Sequence, residues 1–67
     1  MYPNLRAEMA RKKLTGVDMA QAMGVNISTF SLKFNGKNDF TLPEAKAIKK
    51  ALRTDLPIEV LFEPDEE

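Results

Sequence analysis

The stretch Thr15-Gly16-Val17-Asp18-Met19-Ala20-Gln21-Ala22-Met23-Gly24-Val25-Asn26-Ile27-Ser28-Thr29-Phe30 decides the fold of this chain. Thr15 opens a helix, because its side-chain oxygen can accept from a free first-turn N–H while Asp18, three residues on, sits at the positive end of the helix dipole. Met19, Ala20 and Met23 recur at helical spacing and form a core face, with Val17 flanking it. Gly24 ends the helix by supplying the left-handed conformation that lets the chain turn sharply. After Val25, Asn26 caps a next helix running from residue 27 to about 34, closed by Asn35-Gly36. Helices joined this tightly cross at a steep angle. That crossing calls for a small residue at Ala20 and one without a Cβ at Gly24, with Met19, Met23, Val25 and Phe30 buried as anchors. The set predicts a helix-turn-helix over residues 15–36.

Working outward, a first helix is expected over about 3–13, with Pro3 early, where its missing N–H costs little. Leu5, Met9, Ala10 and the stem of Lys13 make its inward stripe, leaving Arg6, Arg11 and Lys12 in solvent. On the other side, Thr41-Leu42-Pro43-Glu44 is a capping box with Pro in the first turn, and Ala45, Ile48, Ala51 and Leu52 repeat with helical spacing. A last short helix follows Pro57, with Leu56, Ile58, Val60, Leu61 and Phe62 apolar and Pro64 stopping it. The expectation is an all-α chain of five helices, with one domain over residues 1–62 and an acidic tail over 63–67.

Sixty-seven residues hold one modest core. With neither cysteine nor histidine, the chain lacks the residues for disulfides, thiolate chemistry, Ser-His-Asp triads and the usual zinc sites. Asp and Glu are the only acid–base groups, and no convergent pair stands out from spacing, so no enzyme activity, metal, cofactor or small-molecule substrate is expected. No apolar run approaches the roughly 20 residues of a membrane span, and the start, Met1-Tyr2-Pro3-Asn4, lacks the pattern of a secretory signal; the expected location is the cytoplasm. The formal charge of zero hides an asymmetry. All ten Lys and Arg lie within residues 1–53 against four acids, a net +6, whereas residues 54–67 carry six acids and no base, a net −6. That division fits a basic nucleic-acid face with an acidic tail that limits nonspecific binding, and it equally fits a solvated terminus.

The pattern Met19-Ala20-Gln21-Ala22-Met23-Gly24-Val25, then Ser28-Thr29-Phe30, Asn35-Gly36-Lys37 and Ile58-Glu59-Val60-Leu61-Phe62, resembles the Cro and phage-repressor family, also called the XRE family. The resemblance covers nearly the whole chain. It implies a five-helix, lambda-repressor-like DNA-binding domain, commonly homodimeric, whose third helix enters the major groove of a roughly palindromic operator. The length looks like that of a phage or prophage Cro-like repressor without an attached second domain.

On a helical wheel at about 100° per residue from Ile27, Phe30 and Phe34 fall near 300° and 340°, with Ile27 beside them as a core stripe. Ser28, Leu32 and Thr29 lie roughly opposite, with Ser31 at the edge, and these side chains would meet a major groove. Asn26 and Ile27, at the helix start, join the candidate DNA-binding set. Ser and Thr can bond to either kind of base edge. Leu32 has two readings: an ordinary exposed leucine, or an apolar contact to a thymine methyl. The face lacks Arg, Gln and Asn, so specificity is expected to lean on backbone fit and DNA deformability.

The resemblance also implies which residues hold the phosphates. Thr15 and Gly16 match the start of the second helix, whose free N–H groups can meet a phosphate. Asn35 and Lys37 match the loop after the third helix, although Asn before Gly is also a plain turn signature. Lys33 reaches either a phosphate or solvent. Arg6, Arg11, Lys12 and Lys13 are phosphate contacts or simply a solvated face.

Because one helix-turn-helix covers only a half-site, two copies are expected on double-stranded DNA. Leu56, Ile58, Val60 and Phe62 are the expected dimer interface, with capping of the monomer core as the alternative for Ile58 and Leu61. A competing function on the same fold is an antitoxin-like or repurposed module that binds a partner protein through the acidic tail or an apolar surface.

Overall fold

Pro3 begins α1 (Pro3–Lys12), where its fixed φ suits the first turn. The structure is a computed structural model and describes residues 2–64, so most of the expected tail, 65–67, lies outside the described residues. α1 is slightly shorter than its pattern predicts. Lys13 adopts the left-handed conformation (φ 60°, ψ 40°) and leaves the helix, while Leu14 N donates to Met9 O at 2.9 Å to close the end. The inward stripe is therefore Leu5, Glu8 and Met9. Ala10 and Lys13 are exposed, contrary to expectation: Ala10 is one residue, about 100°, past Met9, and Lys13 is outside the helix. Glu8 takes the place expected of an apolar residue, its carboxylate paired to the Arg11 guanidinium at 2.8 Å.

α2 (Gly16–Met23) starts with a complete capping box in which Thr15 Oγ1 accepts from Asp18 N while Asp18 Oδ2 accepts from Thr15 N at 2.8 Å. It ends at Gly24 (φ 75°), after which Val25 N donates to Ala20 O at 3.0 Å. α3 (Ile27–Phe34) follows at once, capped by Asn26 Oδ1 accepting from Thr29 N at 2.9 Å. α4 (Leu42–Leu52) opens with the second capping box, Thr41 with Glu44, and ends at Arg53 in the left-handed region (φ 53°). α5 (Ile58–Leu61) is a single turn after Pro57.

α4 is the central element. It packs against α1, α2 and α5, while α2 also packs against α3. The core consists of Leu5, Met9, Met19, Ala20, Phe30, Ile48, Leu52 and Leu61, with Ala45 also buried. Every helix contributes to it. Beside this core, the Tyr2, Phe40 and Phe62 rings meet edge to face, with centroids 5.0–5.8 Å apart, tying the chain start and the α3–α4 loop to the end of α5. α5 is anchored further by Asn4 Nδ2, which donates to Val60 O at 2.8 Å. The α4–α5 loop is held by Lys49 Nζ, donating to Thr54 O and Leu56 O at 3.0 and 2.9 Å.

Of the two reasons expected for Gly24, the left-handed conformation holds and the close approach does not. A Cβ on Gly24 would meet nothing within 4 Å, so its requirement is the positive φ alone. The close approach occurs at Gly16 instead, where a Cβ would lie 3.1 Å from Ile27 Cδ1 and 3.3 Å from the Phe30 ring. Among the described residues, no helix is long and apolar enough to cross a membrane.

Candidate nucleic-acid interface

α3 is fixed from inside by Phe30, which is buried, and by Phe34, whose ring stacks on that of Phe30 at 5.4 Å with an interplanar angle of 18°. With that side set, the residues turned outward are Ile27, Ser28 and Leu32, all exposed, with Ser31 partly exposed between them. This differs from the wheel in two places. Ile27 leaves the core stripe and lies against the start of α2, in the space that the missing Cβ of Gly16 provides. Thr29 is half-buried on the flank rather than on the outer face.

Lys33, on the flank away from that outward face, is drawn toward α4. Its ammonium lies 2.7 Å from Glu44 Oε1 and donates to Asp39 O at 3.3 Å, and both side chains of the pair are largely covered, at 13% and 19% exposure. Lys33 is thus an internal strut from α3 to the capping box of α4. It is removed from the outward DNA-binding set, because an ammonium bonded to a carboxylate under cover has no free reach to a phosphate. The Glu44 carboxyl is held below its usual range, chiefly by the hydrogen bond from Lys33 and then by the Thr41 N–H.

Of the residues implied for phosphate contact, Thr15 has both polar groups engaged, its N–H and hydroxyl donating to Asp18 Oδ2 at 2.8 and 3.1 Å. The next N–H groups, those of Gly16 and Val17, have no protein acceptor among the described residues and remain available at the positive end of α2. Asn26 is exposed, with its Oδ1 occupied by the α3 cap. At the other end of α3, Lys37 N and Asn38 N donate to Leu32 O at 2.9 and 3.4 Å, and Gly36 (φ 84°) makes the turn. The loop therefore folds back onto the end of α3 and leaves Asn35 and Lys37 exposed there. Ile27, Ser28, Ser31 and Leu32 thus lie between two groups suited to phosphate, the first N–H groups of α2 and the ammonium of Lys37.

The expected dimer residues divide. Leu56 and Phe62 are partly buried against the core, Ile58 is half-buried and Val60 is exposed. Ile58 and Phe62, with Tyr2, Phe40, Leu42 and Ala45, line an open groove of about 450 Å³. Burial and the Asp39 carboxylate beside it push the Tyr2 phenol upward.

Several features had only weak sequence signals. Glu44 was legible as a cap, but its partner Lys33 is in another helix, and nothing local joins the two. Glu8 at the (i, i+3) position from Leu5, with Arg11 three residues further, was the one available sign of a covered ion pair. Comparison with protein-family models, with curated proteins and with solved structures gives no match for this chain.

Proposed function

We propose that this chain is a sequence-specific DNA-binding transcriptional regulator in which α2 and α3 act as a helix-turn-helix and α3 enters the major groove. The observation that carries the proposal is the arrangement around α3: an uncharged outward face bounded by the unpaired Gly16 and Val17 N–H groups and by exposed Lys37. The net +6 of residues 1–53 supports it, since phosphate contacts dominate affinity for DNA. So does the resemblance to Cro and phage repressors, which makes a phage or prophage repressor on a palindromic operator the specific form of the proposal. Two copies would read two half-sites about 34 Å apart, with exposed Val60 and the adjoining Ile58 as the contact between them.

The experiment is a titration of the purified protein against random-sequence duplex and against the DNA flanking its reading frame, at two salt concentrations. The proposal expects a steep negative salt slope and a preferred site. Absence of binding to either duplex at low salt refutes it. A second reading, a module that binds a partner protein, draws on the apolar groove between Tyr2, Phe40, Leu42 and Phe62, and predicts saturable protein binding without a DNA complex.

A further inference from the structure

α3 turns an uncommon mixture outward for a helix that would read bases. Ile27 and Leu32, 42% and 48% exposed, flank Ser28 and Ser31. None of these four can form the bidentate hydrogen bonds by which Arg or Lys distinguishes guanine, or Asn or Gln distinguishes adenine. The one cation within α3, Lys33, is bonded to Glu44 and directed away from this face. The apolar character continues onto α2. Ile27 Cδ1 lies 3.1 Å from where a Cβ of Gly16 would stand, and Val17, the residue after Gly16, is 51% exposed.

Among the groups that B-DNA presents in its major groove, the thymine C5-methyl is the apolar one. Two branched side chains on either side of two hydroxyls match a row of methyl groups interrupted by hydrogen-bonding edges. We infer that the half-site bound by this helix is read at thymine, with Leu32 and Ile27 contacting C5-methyl groups and Ser28 and Ser31 bonding the polar edges between them. The inference rests on the DNA-binding reading and specifies the bases that this reading leaves open. It makes Ile27 and Leu32 the specificity-determining residues, ahead of any charged side chain.

The test begins with selection of bound duplexes from a random-sequence pool. The selected duplex is then resynthesised with deoxyuridine in place of thymidine, which removes the methyl and keeps the base-pairing edge. The expected result is thymine at recurrent positions of the half-site and a loss of about fourfold in affinity for each contacted methyl removed, the equivalent of one buried methylene. Leu32→Ala and Ile27→Ala, both at exposed positions and checked for an unchanged melting profile, should each reduce the ratio between the thymidine and deoxyuridine duplexes. Equal affinity of the native protein for both duplexes overturns the inference while leaving the DNA reading intact. So does a deoxyuridine penalty that persists undiminished in both variants, because that penalty would arise from duplex shape rather than from these side chains. If the pool yields no bound duplex at low salt, the DNA reading itself fails, and this inference with it.

Discussion

Lys33 Nζ and Thr41 N both donate to Glu44 Oε1, at 2.7 and 2.9 Å, so that the last turn of α3 and the first turn of α4 share one carboxylate oxygen. The pair ties the flank of α3 away from its outward face to the start of α4 under limited exposure. Glu44→Gln should therefore destabilise the protein by about 1–2 kcal/mol at neutral pH, in the range of a charge-assisted hydrogen bond with limited exposure. The pH dependence has a definite sign. The folded-state pKa of Glu44 is lowered, so its contribution is fully present above the ordinary value of 4.5 and is lost as pH falls through the lower folded value. Urea midpoints of the native protein and Glu44→Gln should differ at pH 7 and converge toward pH 3. A difference that stays constant over that interval contradicts the assignment.

Lys33 and Lys37 provide a direct contrast on DNA. Lys37→Ala should weaken binding to all sequences alike and reduce the salt slope by roughly one unit, because it removes one phosphate contact. Lys33→Met should leave the slope unchanged and lower only stability, by about 1–2 kcal/mol. Ser28→Ala combined with Leu32→Ala should change site preference; equal losses on every sequence would refute base readout by these residues.

The left-handed positions lead to opposite predictions. Gly24→Ala should cost about 1 kcal/mol although its Cβ would touch nothing, because the cost lies in φ 75°. Lys13→Gly and Arg53→Gly should each add about 0.5–1 kcal/mol by relieving the same strain at φ 60° and 53°. Melting temperatures measure all three, at about 4–8 °C per kcal/mol for a domain of this size.

Glu8 is buried, and among the described residues its charged partner is Arg11, 71% of whose side chain is accessible. Arg11→Ala should destabilise through the unpaired carboxylate that remains. Glu8→Met should be neutral or stabilising, since a well-packed apolar side chain often equals a covered ion pair. In the Glu8→Met background, Arg11→Ala should have almost no effect. Chemical denaturation of the four proteins tests this, and equal effects of Arg11→Ala in both backgrounds would show that the pair carries no coupling.

The elements were legible because their signals are local. Two Thr capping boxes, Asn26, Gly24 and two early prolines mark the helix ends within a few residues of sequence, and the structure follows them closely. What the sequence concealed depends on contacts between helices. Lys33 is drawn to Glu44, eleven residues on, and the Ile27 side chain lies against the space that a Cβ on Gly16, likewise eleven residues away, would need. A wheel drawn on α3 alone contains neither partner, and so it placed Thr29 outward and Ile27 inward. The expected interface at Leu56 and Phe62 failed to separate from the core for a similar reason, as Phe62 is engaged with Tyr2 and Phe40 from the far end of the chain and from the α3–α4 loop.

Contact of DNA with the proposed outward face of α3 and its two flanking ends can be read from backbone amide chemical shifts of the labelled protein on addition of duplex at low salt. The perturbed amides are expected to cluster at Gly16 and Val17, over residues 26–32, and at Asn35 to Lys37, with α1 little changed. Perturbations centred instead on Tyr2, Phe40, Leu42 and Phe62, or no change at saturating duplex, would contradict it.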